Sequence, residues 1–208
     1  MPWLVGTALV HSLGVTGRRG TFQAWAAFLA VGAFALSLIG TFLVRSGVLS
    51  SVHAFAQDPA RGFFLLLLLA LLVGAALVIL SLRVPKTVSP DAAFALLSRE
   101  TLVLFGNVLL LIATATVLLG TLYPLILDAL GQGKVSVGPP YFNAVFVPLM
   151  VPVLFLLGVA PFTAWQGASG RELQSRLQWL LLAAVCIGPV LVFAYEELRW
   201  PAVLACVL

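Results

Sequence analysis

Charged side chains are scarce in this sequence. Asp, Glu, Lys and Arg make up only 9% of its 208 residues, whereas a soluble domain carries about 25%. A chain this poor in charge cannot cover a water-exposed surface, so a soluble fold is excluded. Disorder is excluded by the same scarcity, because it needs low hydrophobicity and high charge. Strict apolar/polar alternation is missing as well; the apolar runs are long and continuous, which argues against a membrane β-barrel. Cysteine contributes only Cys186 and Cys206, each inside an apolar run and without CxxC spacing. They read as small packing residues and carry no redox information. No basic stretch precedes the first apolar run and no cleavage site follows it, so the first seventeen residues read as part of a span and not as a signal peptide.

Catalytic motifs are equally thin. There is no HExxH, no GxSxG and no carboxylate pair within a span. Gly131-Gln132-Gly133-Lys134-Val135 matches a phosphate loop only in part, because Asp128 stands where its first glycine belongs and Val135 where Ser or Thr belongs. The eleven basic residues lie thinly between apolar runs and form no stripe, so the net charge of +4 does not point to nucleic acid.

What the sequence has is apolar length. Hydrophobic residues make up 62% of it. Seven hydrophobic segments are legible: Pro2–Gly17, Phe22–Val44, Gly62–Leu82, Thr101–Tyr123, Asn143–Ala164, Gln178–Tyr195 and Trp200–Leu208. The middle five reach or nearly reach the roughly 20 residues that cross about 30 Å of hydrocarbon. The first is short and the last too short. The expected fold is therefore an all-α polytopic membrane bundle of about six to seven transmembrane segments, truncated at both ends.

Alternating the connections puts Arg18, Arg19, Arg83, Lys86, Arg99, Arg171 and Arg176 on one side, and Arg45, Arg61, Lys134 and Arg199 on the other. The richer side is expected to be cytoplasmic. Trp3, Trp25, Trp165, Trp179 and Trp200 all fall near span ends, where an amphipathic ring is favoured. Two connections then face outward. In residues 45–61, Val48, Leu49, Val52, Phe55 and Ala56 recur at helical spacing, which reads as a short helix lying in the membrane interface and ended by Asp58-Pro59. Residues 124–142 form the second outer loop, stiffened by Gly138-Pro139-Pro140. Pro148, Pro152 and Pro161 predict a kinked fifth segment.

Only two histidines occur, and they stand at different heights. His11 lies within the first apolar segment, where an ionisable ring is costly unless paired. It reads either as a neutral imidazole hydrogen-bonded to a neighbouring helix or as an axial ligand to a buried haem iron. His53 lies at the outer surface. It reads either as a solvated interfacial histidine or as a ligand offered to something arriving from outside. Neither depth holds a second histidine, so a bis-histidine site would need a partner from beyond these residues. Arg45 reads as a snorkelling anchor or, near His53, as a partner for a carboxylate such as a haem propionate.

Four segments, in order, resemble the CcmF-type haem lyase family of cytochrome c biogenesis. MPWLVGTALVHS (Met1–Ser12) resembles the helix that follows the family's tryptophan-rich WWD motif. GTFLVRSGVLSSVHAFAQDPA (Gly40–Ala60), LSRETLVLFGNVLLLIATATVLLGTLYP (Leu97–Pro124) and KVSVGPPYFNAVFVP (Lys134–Pro148) are similar to further stretches of the family. The nitrite-reductase-associated paralogues share much of this pattern.

The resemblance implies a multi-pass protein of the bacterial inner membrane that attaches haem to the CxxCH cysteines of apocytochrome c on the periplasmic side. It implies that His11 ligates a resident transmembrane haem b. It implies that His53, on the periplasmic side, ligates incoming haem delivered by a haem chaperone of the CcmE type, with Arg45 close by. Apocytochrome c and a thiol-reducing subunit of the CcmH type are the further partners implied. The WWD segment and the partner histidines of both pairs are absent from the sequence, so the resemblance also implies an internal fragment, inactive alone. Two alternatives stand beside this reading. One is a transporter or channel subunit, for which Asn107, Thr114 and Thr116 are the candidates to line a polar path. The other is a non-catalytic scaffold of the same assembly.

Overall fold

Proline and glycine set the bounds of the first helix. The computed structural model describes residues 1–45, 59–83, 95–133, 135, 137–167, 169–175, 177–178, 182 and 185–187. Helix α1 runs Pro2–Arg19, with proline in its first turn, where its missing N–H costs nothing. It ends on Gly20 in the left-handed region (φ 68°), whose N–H donates to the Thr16 carbonyl at 2.8 Å. Phe22 is also left-handed at φ 67°, a conformation that costs a non-glycine residue energy and turns the chain sharply into the next helix. Helix α2 (Gln23–Arg45), α3 (Pro59–Arg83), α4 (Arg99–Ala129) and α5 (Pro139–Val159) follow, and a 3-10 turn, Ala160–Phe162, extends α5. Among the described residues every regular element is helical.

Four of these helices are long and apolar enough to cross a membrane: Gln23–Val44, Gly62–Arg83, Arg99–Asp128 and Pro139–Phe162. The chain is an all-α polytopic membrane protein. Its helix bounds differ in places from those expected. Pro59–Arg61, assigned to the outer connection, make the first turn of α3, because proline closes nothing when it stands at a helix start. Residues 124–142 are not all loop: α4 continues through Pro124 to Ala129, and α5 starts at Pro139. Proline removes one intrahelical hydrogen bond, here the one to the Gly120 carbonyl, and the helix carries on around that loss. The expected outer helix between Arg45 and Pro59 and the spans 178–195 and 200–208 fall wholly or largely outside the described residues.

The chain divides into two compact units, Met1–Ala92 with Leu110–Phe146, and Ala93–Leu109 with Val147–Leu208. In the first, α1 packs on α2 and α2 on α3. The buried stripe of α1 is Leu4, Val5, Ala8, Ser12 and Val15; Ala26 and Leu29 are buried on α2. Lipid tails are as apolar as leucine, so such helices associate through close van der Waals contact, which small residues permit. Ala8, Ser12 and Gly32 serve this, and a Cβ on Gly32 would stand 3.8 Å from Val5. Helix α3 is Leu-rich and exposed around most of its surface, as a lipid-facing helix is. Hydroxyls close on their own helices: Thr7 donates to Trp3 O, Ser12 to Ala8 O, Ser37 to Ala33 O and Thr41 to Ser37 O, at 2.8–3.0 Å. This spares polar groups that hydrocarbon cannot solvate.

The start of α5 is seated on α4. The Tyr141 hydroxyl donates to the Thr116 carbonyl at 3.0 Å, and the Tyr141 ring covers Gly120 so closely that a Cβ there would lie 2.6 Å from a ring carbon. Gly120→Ala should therefore destabilise by about 1–3 kcal/mol, the range for overpacking. Thermal unfolding of the full-length protein in detergent checks this, and in a Tyr141→Ala background the added Gly120→Ala change should cost little. An unchanged midpoint for Gly120→Ala would show that the ring has room to move.

Candidate functional site

His11 sits on α1 at the edge of the stripe that packs against α2. Helix phase puts it beside Leu4 on one flank and beside Thr7 and Gly14 on the other. It is partly exposed, and it makes no hydrogen bond to any described residue. A Cβ on Gly14, one turn onward, would meet nothing within 4 Å. The imidazole thus borders an open stretch of α1 surface, on a helix that is not among the four long and apolar enough to cross a membrane. That arrangement fits an axial ligand beside a flat apolar macrocycle, which needs one free ring nitrogen and room along a helix face.

Arg45 is the last residue of α2, and its side chain lies outside the described residues. His53 lies outside them altogether. The helix rise nevertheless sets heights. His11 is eight residues from the end of α1, about 12 Å from the α1–α2 turn, while Arg45 stands about 33 Å from it along α2. A difference of about 20 Å is more than two side chains bridge, so His11 and Arg45 cannot serve one group by direct contact.

The residues considered for a transport path behave differently. Thr114 is buried and its hydroxyl donates to the Leu110 carbonyl at 2.8 Å; the Thr116 hydroxyl donates to Ile112 at 2.9 Å. Both are satisfied within their own helix and offer no string of free donors. Asn107 is fully buried. Among the described residues no cluster of three or more His, Cys, Asp or Glu could hold a metal ion.

A second polar centre, not read as a site from the sequence, lies in the other unit. Ser98 caps α4: its hydroxyl accepts from the Thr101 N–H at 3.2 Å, and Thr101 donates its own hydroxyl to Ala95 O at 2.8 Å. Arg99 reaches the end of α5. Its Nε donates to Ala160 O (3.1 Å) and Thr163 O (3.0 Å), its Nη2 donates to Pro161 O, and its guanidinium lies 4.8 Å over the Trp165 ring. The fork therefore satisfies carbonyls that the helix end leaves without donors. Glu100, only 1% exposed, accepts the Gln166 N–H at 3.2 Å. Gln166 and Gly167 both have positive φ (71° and 139°), so the carboxylate holds a turn that is otherwise strained. The visible signal was an Arg-Glu pair just after a serine cap; its partners lie more than sixty residues away.

No protein-family model matches the sequence. Curated relatives do. The chain is 52% identical over 205 residues to the cytochrome c-type biogenesis protein CcmF of Pseudomonas aeruginosa, covering 99% of itself and 31% of that protein. It is 49% identical over 197 residues to CcmF of Escherichia coli, covering 95% of itself and 30% of that protein. A solved structure of the cytochrome c haem lyase CcmF superposes with a TM-score of 0.68 at 28% identity, over 99% of this chain and 29% of that one. The chain thus spans about a third of the length of the proteins it matches.

Removing the Glu100 carboxylate should take from the Gln166 N–H a charged acceptor in a part-buried contact, at a cost of about 1 kcal/mol. Glu100→Ala is expected to lower the thermal midpoint and speed amide exchange at Gln166. Exchange at Gln166 equal to that of the parent would contradict the assignment.

Proposed function

The chain belongs to the CcmF-type family of cytochrome c biogenesis proteins, and on that premise we propose that it is part of a haem lyase that attaches haem covalently to apocytochrome c. The observation that carries the reading is His11: a partly exposed imidazole, without a hydrogen-bonded partner among the described residues and flanked by open helix surface.

Two histidines at different heights have two tasks in this reading. His11 would hold the iron of a haem b within the bundle, a group whose chemistry when bound is reversible one-electron transfer. His53, on the periplasmic side of the bacterial inner membrane, ligates incoming haem handed over by a chaperone of the CcmE type. Arg45, at the outer end of α2, pairs with a carboxylate of that substrate. Each histidine needs a second ligand from elsewhere in the full-length protein. Hydroxyl groups that close on their own helices favour this reading over a transport path.

The reaction itself asks no nucleophile of the protein. Each reduced thiol of the CxxCH motif adds across a vinyl group of haem: a carbon–sulfur bond forms and the thiol proton goes to the other vinyl carbon. The thiols reach the site reduced, the task of a subunit of the CcmH type. Holding haem and polypeptide in register supplies the rate advantage of proximity.

His53→Ala in the full-length protein should abolish most covalent cytochrome c formation, measured by haem staining of denatured protein, while leaving the amount of lyase in the membrane unchanged. Undiminished maturation would remove His53 from the mechanism.

A further inference from the structure

The connection between α1 and α2 is rich in donors and poor in acceptors. Helix α1 ends on Arg18 and Arg19, both exposed. Neither α1 nor α2 carries an acidic residue, and Asp58 is the first in the sequence. Gly20 and Phe22, both left-handed at φ 68° and 67°, fold the chain back around Thr21. Because α1 packs on α2, the arginine pair and the first turn of α2, with Trp25, stand at one end of the helix pair. That end belongs at the membrane surface: the candidate span of α2 begins at Gln23, and two guanidinium groups are too costly for hydrocarbon.

Two polar atoms at this turn lack partners. All of the hydroxyls on α1 and α2 donate to a carbonyl of their own helix: Thr7, Ser12, Thr16, Ser37 and Thr41. Thr21, between the helices, does not. Its hydroxyl oxygen and the Trp25 Nε1 are buried without a hydrogen bond, a state that folded proteins seldom keep without a use for it. Both residues are partly exposed as a whole, so a modest side-chain rotation brings either donor to the surface of the turn. Phe22 adds a left-handed conformation that is costly for a residue with a bulky side chain, and such strain persists where a site uses it.

We propose that this turn binds the phosphodiester of a phospholipid headgroup. Arg18 and Arg19 supply the charge, and the Thr21 hydroxyl and the Trp25 indole N–H complete the donor set. An anion is the ligand that answers such an array where no carboxylate stands on either helix. Its source is the bilayer, which holds phosphodiesters at the level where the span begins. The site is independent of the lyase reading.

The test titrates the full-length protein in detergent with phosphatidylglycerol while thermal unfolding is followed. The lipid should raise the midpoint. Arg18→Gln should increase the lipid concentration needed for half of that rise about tenfold, the loss of one charge-assisted contact. Arg83→Gln, which removes an exposed charge at the end of α3, should change it less than about twofold, as a general surface charge does in detergent. Thr21→Val should increase it about threefold and leave the midpoint of the lipid-free protein unchanged, because the lipid-free state loses no hydrogen bond. Arg18→Gln without effect, or Arg83→Gln with an equal effect, overturns the proposal. So does a lower lipid-free midpoint for Thr21→Val, which would give that hydroxyl a partner elsewhere in the full-length protein. Inorganic phosphate that cancels the lipid effect at equal concentration would make the ligand a free anion and overturn the assignment to lipid.

Discussion

Hydrocarbon neither donates nor accepts hydrogen bonds, and most of this structure follows from that. A polar group at membrane depth must find its partner in the protein. Thr7, Ser12, Thr16, Ser37, Thr41, Thr114, Thr116 and Thr121 all donate to the carbonyl one turn back in their own helix. The Tyr141 hydroxyl finds a carbonyl of α4. Even α4's internal proline is tolerated within this economy of partners. The pattern has exceptions among the described residues: the Thr21 hydroxyl and the Trp25 Nε1 are buried without a partner, and the partly exposed His11 ring bonds to none of them.

The same constraint acts at the ends of helices, where carbonyls and N–H groups lose their intrahelical partners. Arg99 answers for the end of α5, and Ser98 for the start of α4. Glu100 is the more telling case, since a carboxylate 1% exposed holds the N–H of a strained turn. Nothing in the chemistry of this centre resembles catalysis. It joins the first turn of α4 to the turn after α5 within one unit, and so fixes where α4 begins.

Much of this was legible in the sequence, and the limits have physical causes. Continuous apolar runs mark membrane helices whatever their neighbours do, so the class of fold needed no tertiary information. Helix ends were harder. Pro124 looked like a terminator because proline costs a hydrogen bond, but α4 loses only that one bond, to Gly120, and its ridge is covered there by Tyr141. Pro59 looked like an ending and is a beginning, a distinction that depends on which side of it the helix lies. The Arg99–Trp165 and Glu100–Gln166 pairs were invisible, because no periodicity links residues more than sixty apart. His11 was picked out by its setting alone, an ionisable ring in an apolar run, and the open surface beside Gly14 adds what the sequence could not show. His53 and Arg45 were reached by the resemblance more than by their spacing.

The account stands or falls on His11 as an iron ligand. The direct measurement is the optical and electron paramagnetic resonance spectrum of the purified full-length protein, compared with His11→Ala at equal protein concentration. Loss of the resident haem b, or a change from low-spin axial ligation, is the predicted result. An identical spectrum with full haem content would mean that this imidazole holds no iron, and the proposed division of labour between two heights would be wrong.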